Sequence, residues 1–475
     1  MTADALIGLI MLLVLLGAIF IGVPISFTLL FLAFTFGYVG MGHTVFDLAY
    51  FQTIGMMKEE VLAAVPLFIF MGFITEQAGL MERLFIAFRM LLAPVRGALF
   101  LVVILTAAVF AMATGIVGAA VTVLGIMASP IMVKSGYDAK LSAGTITAGG
   151  TLGILIPPSV MLIVMGPVLG VSVADLYAAA FGPGFLLAGI YVVYLMGRSM
   201  LNPALGPPVP TEERVHSVGV MIREVLLGVV PLLGLIAATL GSILAGLATP
   251  TEAAGIGSAG ALVLALAYRK LTWAGLQRAL NSTMATSSMV LLLAVTSNIF
   301  GAVFARLGTA NWITNTLLSF ELPPTLMLVL VLILIFLLGW PFEWPAIILV
   351  FLPIFYPVVV ALKVDLIWFG AITAVTLQTA FLSPPVAMSA YYLKQVVKEW
   401  SLTTIYGGMF QFMILQVICI SLIFAFPQIA LWFPQTLQEA ARSQAIPEEH
   451  KRIIEEQKKR SQDLYEDEYG APKKN

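Results

Sequence analysis

The chain has 475 residues, is 60% hydrophobic and 10% charged, and has a mean hydropathy of +1.02. No soluble core uses that share of apolar residues, so the composition reads as an all-α polytopic membrane protein. A net charge of −1 gives no electrostatic case for nucleic acid, the single Cys419 excludes an intramolecular disulfide, and His43, His216 and His450 are too scattered for a metal cluster.

In chain order, the opening Met1-Thr-Ala-Asp-Ala has no basic segment before its apolar run. The block near 5–21 is therefore expected to be a first membrane helix and not a cleaved signal. Apolar blocks follow near 25–41, 61–79, 97–130, 141–170 and 175–198. After a polar loop, 199–225, the order recurs near 226–245, 252–268, 284–304, 324–361, 366–393 and 405–433. The blocks 97–130 and 324–361 are long and broken in the middle, at Thr114-Gly115 and within Trp340-Pro-Phe-Glu-Trp-Pro345. Each is read as a re-entrant hairpin, tolerated only where protein buries it. The blocks 141–170 and 366–393 are read as crossing helices broken at proline pairs, Pro157-Pro158 and Pro384-Pro385.

The two proline pairs lie 227 residues apart. The same offset carries Gly115 to Phe342, inside the second hairpin break, and Asp138 to Asp365, each just ahead of a broken helix. The chain thus reads as two repeats, 1–198 and 226–433, each of five crossings plus one hairpin. Five is odd, so the second repeat runs in the opposite sense to the first. Discontinuous helices at matching places in inverted repeats point to a transport site near mid-membrane. With the N-terminus outside, thirteen Lys and Arg fall in inner loops and only Lys58, Arg306 and Lys363 in outer ones, a positive-inside bias that supports this topology. Segments 81–95, 270–282 and 309–320 mix charge with apolar positions at helical spacing and are expected to lie along the membrane surface. The tail, 434–475, holds eight Lys/Arg and nine Asp/Glu and is expected outside, as a solvated helix fading into disorder.

A proline pair removes two backbone donors and frees carbonyls of the preceding turn. Bare carbonyls in hydrocarbon are costly, and a cation satisfies them. The half-helix that follows presents N–H groups and a positive dipole end, which suit a carboxylate. Hydroxyl and amide groups cluster at both breaks: Thr145, Thr147, Thr151 and Ser159 in the first, Thr373, Thr376, Gln378, Thr379, Ser383 and Ser389 in the second. Ser and Thr in membrane helices commonly bond their own i−4 carbonyl, so Ser159 and Ser383, flanking the prolines, are the strongest candidates. Glu343, at the second hairpin tip, is placed to meet a cation or to point to water, while Glu76 and Glu252 sit near segment ends. Ser287, Ser288, Thr296, Ser297 and Asn298 form a polar face that either lines the pocket or joins helices. No Lys or Arg stands at a break.

The runs Val65-Pro-Leu-Phe-Ile-Phe-Met-Gly72, Met132-Val-Lys-Ser-Gly-Tyr137, Thr151-Leu-Gly-Ile-Leu-Ile-Pro-Pro-Ser159, Phe181-Gly-Pro-Gly184 and Ala248-Thr-Pro-Thr-Glu-Ala253, in this order, resemble the DctM-like large membrane subunit of TRAP (tripartite ATP-independent periplasmic) transporters. The resemblance spans about residues 5–433. It implies a sodium-driven importer of the bacterial inner membrane that works as an elevator, with a small four-helix membrane partner and a periplasmic binding protein delivering an organic acid. It implies no cofactor beyond sodium as the coupling ion. By this resemblance sodium sits at Thr114, Gly115, Thr151 and Pro157 in the first half, and at Gly339, Glu343, Thr379, Ser383, Pro384 and Val386 in the second. Pro158, Ser159, Ser297, Asn298 and Gln378 are left for the substrate. The first tip departs from the family's Gly/Ser-rich run, reading Ala113-Thr-Gly-Ile-Val-Gly118, which puts side-chain sodium ligands at positions 116 and 117 in doubt. The first-tip variant and the aromatic second tip suggest keto or aromatic acids. The alternative is a stand-alone sodium-coupled dicarboxylate transporter or anion antiporter of the same superfamily. A membrane enzyme would need a nucleophile, metal cluster or acid–base pair at recognisable spacing, and the sequence offers none.

Overall fold

A computed structural model describes residues 2–208, 218–384 and 387–445, and every regular element among them is helical. Among these residues nine helices are long and apolar enough to cross a membrane, or ten if the bent pair Ala139–Leu155 and Val160–Leu169 is one span.

Helices stop where the sequence removes donors or a side chain. Ala98–Thr114 ends before Gly115, whose φ of +60° is left-handed, and the chain restarts as Val117–Lys134. Ala139–Leu155 ends ahead of Pro157 and Pro158, joined by a cis peptide bond, and Val160–Leu169 leaves at a bend of 46°. A bend of that size continues the chain onward and does not fold it back. In the second half Pro324–Leu338 ends at Gly339, and the chain resumes at Trp344 and runs to Ala361 through a π-helical turn, Ile347–Phe351. Leu366–Gln378 tightens into a 3-10 turn, Thr379–Phe381, and the helix Met388–Val396 follows beyond the prolines. Both broken helices open on an aspartate cap. Asp138 Oδ1 accepts from Leu141 N at 2.8 Å, and Asp365 Oδ1 accepts from Ile367 N at 2.8 Å and Trp368 N at 3.0 Å.

Three segments differ from the sequence reading. Residues 270–282 are not a separate surface helix. They open one continuous 34-residue helix, Trp273–Arg306, because no proline or glycine interrupts Leu276 to Phe300. Between Met41 and Glu60, where only a loop was expected, lies the helix Thr44–Met57. The final span is Leu402–Ala425, ended ahead of Pro427, and a new helix, Gln428–Ala445, crosses the expected boundary between span and tail. The tail beyond residue 445 lies outside the described residues.

The helices sort into two packed groups. In one, Ala64–Gln77 lies against Pro250–Ala267, and Trp273–Arg306 against Ile25–Met41 and Thr44–Met57. In the other, Ala139–Leu155 is enclosed by both arms of the first hairpin and by Leu402–Ala425, while Val173–Leu201 covers Leu366–Gln378. The crossing of Ala139–Leu155 with Leu402–Ala425 needs glycine: a β-carbon on Gly408 would lie 2.1 Å from the Lys140 carbonyl oxygen. Gly408→Val is therefore expected to destabilise the fold by about 1–3 kcal/mol, read as a lowered thermal midpoint in lipid nanodiscs. An unchanged midpoint would rule out this crossing.

Candidate functional site

The turns at Gly115 and Gly339, the two expected hairpin tips, each lie against a helix interrupted at proline. A β-carbon built on Gly115 would sit 3.7 Å from the Pro158 carbonyl oxygen, 3.7 Å from Val160 N and 3.8 Å from the Gly153 carbonyl oxygen. One built on Gly339 would sit 2.9 Å from Ala380 Cβ and 3.2 Å from its Cα, so only glycine permits that approach. Gly153 and Ala380 stand 227 residues apart, the same offset as the proline pairs. The match has a chemical basis. In an α-helix the carbonyl of Gly153 would accept from residue 157 and that of Ala380 from residue 384, and both are prolines without an N–H.

At the first break the carbonyl freed by Pro158 is that of Ile154, and the Ser159 hydroxyl donates to it. Ser159 is fully buried, and its own carbonyl accepts from Tyr177 Oη at 3.3 Å. Its hydroxyl is therefore tied to the break itself. The same holds for most candidate hydroxyls. Thr151 donates to Ala148 O at 2.9 Å, Thr379 to Thr376 O at 2.6 Å, and Ser383 to Thr379 O at 2.7 Å, with Met413 Sδ also 3.2 Å from the Ser383 hydroxyl. Their protons are committed to helix carbonyls, which leaves lone pairs as their remaining polar capacity. Gln378 differs. It is fully buried, and neither amide atom has a hydrogen-bond partner among the described residues; Thr373 and Ser389, on the same broken helix, also hold unpartnered buried hydroxyls.

Both tips and both breaks meet at one cavity of about 220 Å³. Gly115 to Gly118 come from the first tip, Ile154 and Val160 from the first break, Glu343 to Pro345 from the second tip, and Phe381, Met388 and Tyr392 from the second broken helix. The opposing wall is Ile69 with Thr286, Met289 and Val290, from the other packed group. Among the described residues, Glu343 and Tyr392 are the only ionisable side chains on the lining, and no Lys or Arg stands there.

Of the residues expected to hold ions, Gly115 and Glu343 line this cavity. Pro157 and Thr151 lie in the adjoining first break, Gly339, Thr379, Ser383 and Pro384 in the second tip and break. Thr114 closes its helix, but its side chain, like all of Val386, lies outside the described residues. Of the residues expected to hold substrate, Pro158 reaches Gly115 through its carbonyl. Ser297 and Asn298 do not join it. They line a separate cavity of about 660 Å³ with Gln52, Glu59 and Asn311, where Asn298 Nδ2 donates to Gln52 O at 3.4 Å. Sequence reasoning named Trp344 only as part of the aromatic second tip and passed over Tyr392 and Thr286. The only signal for them was aromatic content inside the quoted second tip and helical spacing from Ser389 to Tyr392.

The family description "Tripartite ATP-independent periplasmic transporter, DctM component" matches residues 9–429. The chain belongs to the DctM family. Among similar proteins, the sialic acid TRAP transporter large permease protein SiaM of Vibrio cholerae is 29% identical over 427 residues, 88% of this chain and 96% of the relative. The C4-dicarboxylate large permease protein DctM of Rhodobacter capsulatus is 28% identical over 435 residues, with the same shares covered. The ectoine large permease protein TeaC of Halomonas elongata is 25% identical over 398 residues, 84% of this chain and 90% of the relative. Among solved structures, the Alcanivorax borkumensis YdaH transporter has a similar fold, with a TM-score of 0.59 at 17% identity over 83% of this chain and 90% of that one. The chain is thus a DctM-family large permease subunit, a multi-pass membrane transporter and not an enzyme.

Proposed function

We propose that this DctM-family chain imports an organic acid (a dicarboxylate, keto acid or aromatic acid) with sodium, as the large subunit of an inner-membrane assembly. The observation that carries the reading is the meeting of two hairpin tips and two broken helices at one cavity. Carbonyl oxygens of Gly153 and Pro158 converge beside Gly115, and Glu343 stands on the facing tip of the same cavity. Such hard oxygens suit sodium. The N-terminal end of Val160–Leu169, whose first N–H lies beside Gly115, suits a substrate carboxylate. The unpartnered Gln378 amide, with Thr373 and Ser389, leaves the second broken helix polar capacity for an ion or water.

In this reading the two halves are inverted repeats, and both termini face the periplasm. The group carrying hairpins and broken helices moves as an elevator against the group holding Ile69 and Thr286. A small four-helix membrane subunit joins that fixed group, lipid surrounds both, and a periplasmic binding protein delivers the substrate. The relatives named for sialic acid, C4-dicarboxylates and ectoine support a carboxylate-bearing cargo.

Uptake into proteoliposomes that hold this chain and its small partner tests the proposal. Accumulation is expected to require inward sodium and added binding protein together. Uptake that proceeds without binding protein would favour the stand-alone transporter, and uptake indifferent to sodium would remove the coupling.

A further inference from the structure

The walls of the 220 Å³ cavity carry more chemical information than its ion ligands. We propose that the cavity takes a monocarboxylate with a flat, apolar body, such as an aryl acid, and excludes dicarboxylates and hydroxylated sugar acids. This rests on the reading of that cavity as the transport site.

Three observations carry the inference. First, the lining offers an anion backbone N–H groups and no cationic side chain: helix starts at Val160, Val117, Trp344 and Met388 border the space among the described residues. Among the described residues no arginine or lysine lines the space and Glu343 is its one carboxylate, so a second substrate carboxylate would meet a like charge with no cationic side chain there to offset it. Second, the body of the cavity is apolar. Trp344, Phe381 and Met388 share the lining with Ile69 and Met289, while side-chain hydrogen-bonding capacity among the described residues is confined to Thr286, Tyr392, Glu343 and the Trp344 indole N–H. A sugar acid with several hydroxyls would leave most of them unpaired against these walls, each at a desolvation penalty. Third, an aromatic ring is held in place on the wall. A β-carbon on Gly118 would lie 3.1 Å from Tyr392 Cζ and 3.3 Å from both Cε atoms, so the Tyr392 ring rests on the bare backbone of the first tip. With Trp344 on the second tip and Phe381 at the second break, the second half presents its aromatic surfaces to the same small space, against the bare backbone of the first tip, which suits a planar body. A volume below the roughly 300 Å³ floor of drug-sized pockets points to a small acid.

The experiment measures thermal stabilisation and binding of the full chain in lipid nanodiscs. The probes are phenylacetate, succinate and N-acetylneuraminate, each in sodium chloride and in choline chloride. Phenylacetate is expected to raise the midpoint in sodium, and the other two are expected to leave it in place. Trp344→Ala should weaken phenylacetate about tenfold by removing an aromatic contact, and Trp344→Phe should recover most of that loss. Stabilisation by succinate or N-acetylneuraminate equal to or above that by phenylacetate overturns the substrate class. So does an absence of response to all three, or Trp344→Ala that binds phenylacetate as the parent does. Under any of those results a persisting sodium-dependent midpoint leaves the site reading standing, and a midpoint indifferent to sodium removes both.

Discussion

Replacing Pro157 and Pro158 together by alanine is expected to abolish the proposed sodium-driven uptake, a loss of about 100-fold or more, with normal amounts of chain in the membrane. The argument is one of donors. Alanine at 157 and 158 supplies N–H groups four residues beyond Gly153 and Ile154, so both carbonyls return to the helix ladder. The Gly153 oxygen then turns away from Gly115, and the Ser159 hydroxyl loses its role on Ile154. A continuous helix is if anything easier to form, since proline in a helix interior is about 3 kcal/mol less favourable than alanine. Loss of transport therefore cannot be ascribed to failed insertion. Vesicle uptake normalised to immunoblotted protein checks this, and undiminished uptake would detach the proline pair from function.

Glu343→Gln is expected to raise the sodium concentration needed for half-maximal uptake by about 10- to 100-fold. It should change substrate KM at saturating sodium far less. Glutamine keeps the size of the side chain and its place at the start of the helix from Trp344, and removes only the charge. A sodium dependence identical to the parent would show that the carboxylate holds no ion, and would shift the coupling site wholly to backbone oxygens. A parallel loss of substrate affinity at every sodium concentration would instead place Glu343 against the substrate.

The fold was legible because its main signals are chemical interruptions. Proline pairs at 157 and 384, and glycines at the two tips, end helices in the structure where the sequence removes a donor or a side chain. Asp138 and Asp365, noticed only for their spacing, are both helix caps that accept from the N–H three residues on. Boundaries were less legible where nothing interrupts the backbone. Residues 270–282 look amphipathic, yet the helix runs on through Arg306 because side-chain polarity alone does not stop it. The helix Thr44–Met57 was missed because its apolar positions are spread around its surface and not gathered on one face.

The site was half legible. The elements that line the cavity were named from the sequence, and so was the tendency of Ser and Thr to bond carbonyls of their own helix. Thr151, Thr379 and Ser383 all bond carbonyls of their own helix. Ser297 and Asn298 lie on the same helix as Thr286 and Val290, about three turns beyond the first and two beyond the second, and so border the other cavity. Trp344 was legible only as part of an aromatic second tip, and Tyr392 was not singled out, since only the fold brings the two rings to one space.

A density map of the chain in lipid, determined once in sodium and once in potassium, tests the central claim most directly. The account predicts a compact peak beside Gly115, bounded by the carbonyl oxygens of Gly153 and Pro158, that is present in sodium and absent in potassium. An uninterrupted helix through Pro157, or the same unfilled gap in both salts, would contradict it.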